Sequence, residues 1–153
     1  MAAAAGGRRV TGRKATILFV CVHNAGRSQM AAAFARRLGG DRVRVLSAGS
    51  APGDRVHPGV VEAMREVGID LASEVPRRLE ASEALEADAV VTMGCGDACP
   101  AAPGKRREDW EVPDPAGRPV AEVRAIRDEI RRRVERLLET LKATAGDGRN
   151  YRN

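Results

Sequence analysis

The chain has 153 residues, a formal net charge of +5, 43% hydrophobic and 31% charged residues, a balance that suits one globular domain with a single buried core. Its longest apolar runs fall well short of the roughly 20 residues a membrane span needs, and residues 1–14 lack the apolar stretch of a secretory signal, so a cytoplasmic protein without membrane association is expected. With one Trp, one Tyr and two Phe there is little from which to build a base-stacking surface; the basic excess reads as a tail and a solvated helix face, suited to steering a small anion and not to nucleic acid.

Residues 1–14, rich in Ala, Gly and Arg, read as a disordered basic tail, and residues 143–153 as a flexible polar one, leaving one domain over 15–142. Residues 15–21, A-T-I-L-F-V-C, form the continuous β-branched and apolar run of a strand buried on both faces. Residues 26–38 show helical spacing through Met30, Ala33, Phe34 and Leu38, stopped by Gly39-Gly40. A second strand is predicted over 43–47. A helix over 58–67 follows, begun by Pro58 and ended by Gly68. The mixed polar stretch 72–86 reads as a loop with a short helix near 80–85. A third buried strand is predicted at 87–93, a long Gly/Pro/Cys-rich loop at 94–107, and a fourth strand at 108–112. A long amphipathic helix spans 120–141, its apolar stripe being Val123, Ile126, Ile130, Val134, Leu137, Leu138 and Leu141.

Strands alternating with helices imply right-handed βαβ units. The expected fold is therefore α/β: a single-domain, flavodoxin-like, four-stranded parallel sheet with helices on both faces. Ligands of such sheets bind beyond the carboxyl ends of the strands. Cys21, the Gly94-Cys95 pair and Asp114, each following a different expected strand, should meet at that edge.

The segment C-V-H-N-A-G-R-S over 21–28 leaves a buried strand and opens a helix. In that setting the backbone N–H groups of Val22, His23, Asn24, Ala25 and Gly26 can curl around a tetrahedral anion, helped by the helix N-terminus. Arg27 offers a planar fork for two anion oxygens. The same field favours a thiolate, so Cys21 is expected to be a reactive nucleophile. Ser28 can donate its hydroxyl to it. Asn24 suits a left-handed kink, and Gly26 allows close approach of the ligand. Taken alone, a Cys and an Arg five residues apart is a loose pattern, and the competing reading is a core cysteine that ends a strand. The order strand, tight turn, helix favours the functional one.

The remaining cysteines, Cys95 and Cys99, lie in a Gly/Asp/Pro setting that argues against burial. As zinc ligands they would have only His23 and His57 for company, a poor set, and no metal site is expected. Redox chemistry suits an odd cysteine count in the cytosol better than a structural disulfide framework does. Asp114, held between Pro113 and Pro115, fits a turn-capping carboxylate as well as a proton donor facing a thiolate. His57 reads as structural, and Lys105, Arg106 and Arg107 as a solvated loop run.

C-V-H-N-A-G-R-S-Q-M-A, S-A-G at 47–49, V-H-P at 56–58 before G-I-D, T-M-G-C-G-D-A-C-P at 92–100 and W-E-V-P-D-P-A-G at 110–117 together resemble the low-molecular-weight protein tyrosine phosphatase superfamily, and most closely its arsenate reductase branch. The similarity runs from about residue 15 to 141. It implies that Asp114 is the general acid. It implies that Cys21 attacks arsenate, that Cys95 attacks Cys21, and that a Cys95–Cys99 disulfide is finally presented to an external thiol carrier such as thioredoxin. The thioredoxin-coupled relatives space these two cysteines more widely, but one helical turn still brings Cα atoms within about 6–7 Å. Relatives that use mycothiol, with mycoredoxin, imply an alternative in which the relay is dispensable. Some superfamily members hold potassium through an acidic residue on the first helix; Ala32 occupies the matching position, so no such site is expected. No tightly bound cofactor is implied, and a monomer is expected.

Two rival readings stand beside this one. A tyrosine phosphatase needs aromatic walls around its substrate ring, whereas Ala116-Gly117 follow Asp114-Pro115 and the only tyrosine is Tyr151. A non-enzymatic oxyanion-binding or redox-responsive protein needs neither a reactive thiol nor an acid.

Overall fold

A computed structural model describes residues 14–96, 99–100 and 104–147, with side chains to residue 141. Both expected tails fall largely outside it. The order is β1 (Ala15–Cys21), α1 (Arg27–Gly39), a 3₁₀ turn (Gly40–Arg42), β2 (Val43–Gly49), α2 (Pro58–Arg65), α3 (Ala81–Glu86), β3 (Ala89–Met93), β4 (Arg106–Asp109) and α4 (Val120–Asp147). The sheet runs β2-β1-β3-β4, all pairs parallel.

The two central strands are covered on both faces, which is why their sequences are apolar almost throughout. In β1, Ile17, Phe19 and Cys21 face the larger core, shared with α1, α2 and α4, while Leu18 and Val20 face a smaller cluster with Ala84, Ala87, Val90 and Cys95. A strand covered on both faces reads as a near-continuous apolar run. α1 and α4 pack together through Phe34, Ile130, Val134 and Leu137, all essentially buried. Glu66, just past α2, is gripped by Arg124 and by the buried Arg127, which also donates to the Ala63 carbonyl. Those two guanidinium groups hold the Glu66 carboxyl down to about 2.

Three expectations need correction. β4 lies at Arg106–Asp109, not 108–112. Its register against β3, from Ala89↔Arg106 to Thr92↔Asp109, places the polar R-R-E-D in the ladder as an edge strand. Trp110 and Val112 are buried beyond it, and their apolar character misled the periodicity. Arg106 and Arg107 are thus strand residues paired with Glu108 and Asp109, and Lys105 donates to the Leu85 carbonyl; they are not a free solvated run. Finally, α4 extends to Asp147, six residues past its last predicted apolar position.

Candidate active site

The loop between β1 and α1 is turned inside out relative to ordinary chain. Every carbonyl from Cys21 to Gly26 is claimed from outside. Ser50, Ala51, Gly53 and His57 donate their N–H groups to the carbonyls of Cys21, Val22, His23 and Ala25 at 2.8–3.2 Å. The Gln29 side-chain amide takes Asn24 O at 3.1 Å, and Met30 N–H takes Gly26 O at 3.0 Å. The N–H groups of His23 to Gly26, in contrast, donate to no other described residue. α1 is preceded by Gly26 at its N-cap position, with no side-chain cap and no acidic residue in its first turn. N–H groups without a partner among the described residues thus lie beside a helix N-terminus, an arrangement that can bind an anion.

Asn24 holds the loop's kink. It is fully buried, adopts φ 52°, and its Oδ1 accepts from Arg77 N–H at 2.9 Å and from Gln29 at 3.2 Å. Its Nδ2 donates to Ser28 Oγ at 2.7 Å. With Ser28 Oγ accepting that bond, its hydroxyl hydrogen is free to turn to Cys21 Sγ, 2.9 Å away, a contact in which either atom can be the donor. Cys21 is a free thiol, 2% exposed. Gly49 is forced by the same geometry, because a Cβ there would lie 2.6 Å from Val22 O and 3.0 Å from Asn24. Both neighbours belong to fixed backbone or a buried side chain. Gly49→Ala is therefore expected to lower stability by about 1–3 kcal/mol, as overpacking does, and to weaken phosphate binding in parallel; denaturant melts and calorimetric titration check both.

Arg27 projects from the first turn of α1 and is held from the β4 side. Its Nη1 donates to Val112 O at 3.1 Å, and its Nη2 lies 3.8 Å from Asp114 Oδ2. The Arg27 side chain is 12% exposed against 44% for Asp114. Asp114 lies five residues past the end of β4, on a loop rather than at a strand end. Its Oδ1 accepts the Ala116 N–H at 3.0 Å while Oδ2 faces Arg27. The turn-capping and site-facing readings thus coexist, one on each oxygen. Pro115 leans on the oxyanion loop so closely that a Cβ on Gly26 would come within 2.8 Å of its ring. His23 is exposed at the mouth, and Ala25 is buried.

Cys95 and Cys99 form a disulfide with Cα atoms 5.1 Å apart. The expectation that neither is buried fails for Cys95, which is 7% exposed and packs with Leu18, Val20, Ala84 and Val90. The Gly/Pro setting describes the loop's backbone and not the apolar niche beneath it. Cys99 is half-buried and lines an open groove of about 620 Å³ with Gly94, Gly96, Trp110, Val112 and Pro113.

Residues 16–146 match the family described as low molecular weight phosphotyrosine protein phosphatase. The chain belongs to that family. Among curated relatives it is 44% identical over 126 residues to a putative arsenate reductase of Halobacterium salinarum, covering 79% of this chain and 89% of that protein. It is 40% identical to arsenate reductase 2 of Staphylococcus haemolyticus, covering 80% and 95%. Among solved structures, a thioredoxin-dependent arsenate reductase of Corynebacterium glutamicum superposes with a TM-score of 0.77 at 38% identity, over 88% of this chain and 65% of that longer one. The phosphatase family's fold is thus shared.

Sequence reasoning singled out Cys21, Arg27 and Asp114 as candidates but missed the supports around them. Gln29, Arg77 and the 50–53 segment act through backbone groups or buried amides, which leave no periodicity to read. Gly49 sits inside the S-A-G motif, whose presence was the one available signal.

Proposed function

We propose that this protein is a cytoplasmic arsenate reductase regenerated by an external dithiol carrier of the thioredoxin class. The observation that carries the reading is the pairing of a free Cys21 thiol in an N–H-lined anion loop with a neighbouring Cys95–Cys99 disulfide. Phosphate ester hydrolysis has no use for the second pair, whereas reduction of As(V) must leave two oxidised sulfurs somewhere. The relatives named as arsenate reductases support the same assignment.

In the proposed sequence arsenate binds the loop, with Arg27 matching two of its oxygens. The Cys21 thiolate, steadied by Ser28, attacks arsenic. Asp114 gives its proton to the departing oxygen, so that water leaves and a Cys21 S–As bond remains. The Cys95 thiolate then attacks Cys21 sulfur. The S–As bond breaks with its electron pair on arsenic, releasing arsenite and leaving a Cys21–Cys95 disulfide. Cys99 attacks Cys95, freeing Cys21 and producing the disulfide seen here. Because Cys99 lines the open groove and Cys95 does not, the carrier is expected to attack Cys99. No described helix is long and apolar enough to cross a membrane.

The test is arsenite production from arsenate by purified protein, with thioredoxin and its reductase in one series and mycothiol with mycoredoxin in the other. Turnover with thioredoxin is expected. Turnover confined to mycothiol would keep the reductase and discard the relay. Hydrolysis of an aryl phosphate with no arsenite in either series would overturn the proposal.

A further inference from the structure

Gly94 follows β3 and immediately precedes Cys95, with φ +84°. The left-handed backbone alone would favour glycine. A second feature is independent of that. A Cβ on Gly94 would lie 2.7 Å from Arg27 Nη1 and 3.4 Å from both Cζ and Nη2. Three guanidinium atoms thus lie against the face of Gly94 from which any side chain would project. On its other sides the same guanidinium is fixed by Val112 O and flanked by Asp114. Arg27 is therefore clamped between the chain leaving β3 and the chain leaving β4, with Gly94 as one jaw.

We infer that Gly94 is a positioning residue: its bare Cα sets the guanidinium of Arg27 at the oxyanion loop, so the oxyanion affinity of the site depends on the absence of a side chain there. This rests on reading Arg27 as the anion's ligand. The physical consequence of adding a methyl group is specific. The clashing atom is the far end of a flexible side chain, so the fold yields by moving Arg27. Moving it gives up the Val112 bond and the alignment of the fork, and a bidentate fork is sensitive to alignment. The jaw also adjoins the relay cysteine, so the loop that carries Cys95 and the arginine that holds the oxyanion meet at one residue.

Calorimetric titration of inorganic phosphate into the fully reduced protein tests this in four forms: the parent, Gly94→Ala, Arg27→Lys and the double variant. Phosphate binding by Gly94→Ala is expected to weaken by about tenfold or more, the loss of a charge-assisted hydrogen bond. In the Arg27→Lys background, where no planar fork lies against residue 94, the same change should alter binding less than about twofold, because coupled sites are non-additive. Gly94→Asn serves if the alanine variant does not fold, since Asn accepts positive φ and carries its Cβ in the same place. Binding within twofold of the parent in Gly94→Ala or Gly94→Asn overturns the inference. So does an equal loss in both backgrounds, which would trace the effect to the backbone. Absence of phosphate binding in the parent itself would instead remove the anion-site reading on which the inference rests.

Discussion

A Cys21→Ser protein is expected to produce no arsenite, a loss of more than about 10⁴-fold of the kind seen when a nucleophile is removed, while still binding phosphate close to normally. Two separate properties of the site lead there. On the proposed reading, binding rests on the N–H groups of residues 23–26, which donate to no other described residue, the N-terminus of α1 and Arg27, none of which depends on whether sulfur or oxygen stands at position 21. The loop's shape is set by Asn24 with Gln29 and Arg77 and by the outward carbonyl bonds to residues 50–57. A serine leaves all of that in place. Reduction is different in kind, since arsenic must receive two electrons through a bond to an atom that ends oxidised. Sulfur can do so by passing into a disulfide; a serine oxygen cannot. Arsenite assays and phosphate titration on one preparation separate the two. Retained arsenite production would place the redox chemistry elsewhere, and lost phosphate binding would show that Cys21 shapes the loop as well as reacting from it.

The parts of this protein that could be read from its sequence are those where one residue type has one physical reason. β1 and β3 are apolar almost throughout because both faces of the sheet are covered, and the run A-T-I-L-F-V-C has no polar alternation that would leave one face to water. α4 announces itself through a stripe that packs on α1. β4 was displaced because its ladder residues are charged and its buried residues, Trp110 and Val112, lie past the ladder; on an edge strand, burial and pairing part company. A candidate site was legible at Cys21 and Arg27 because strand, turn and helix fix their relation within eight residues. It was less so at Asp114, whose position depends on the loop after β4. The contacts of Gly94 with Arg27, and of residue 77 with Asn24, join segments more than fifty residues apart through backbone and hydrogen atoms. No pattern within a single sequence carries them. Cys95 shows a further limit: the glycines around it correctly mark a tight loop, and say nothing of the hydrophobic niche in which its sulfur lies.

That niche bears on the relay, and Cys99→Ser is the variant that exposes it. Cys21 belongs to the larger core on one face of the sheet and Cys95 to the smaller cluster on the other. For Cys95 to attack Cys21 its sulfur must leave the contacts with Leu18, Val20, Ala84 and Val90 and pass over the carboxyl edge of β1 and β3. Attack by Cys99 then draws it back, since the disulfide described here has Cys95 buried in its niche and Cys21 free. With serine at 99 the return step is gone. Without thioredoxin the variant is expected to release one arsenite per molecule and stop, trapped as the Cys21–Cys95 disulfide, which peptide mapping under non-reducing conditions would identify. Steady-state turnover with micromolar thioredoxin should fall by about 10³-fold, the ratio between a tethered thiol at millimolar effective concentration and a free one. The trapped form should also melt below the same variant with its thiols reduced, because Cys95 has been drawn out of an apolar pocket. Undiminished turnover in Cys99→Ser would mean that the carrier reaches the Cys21 adduct directly and that the 95–99 disulfide lies off the reaction path.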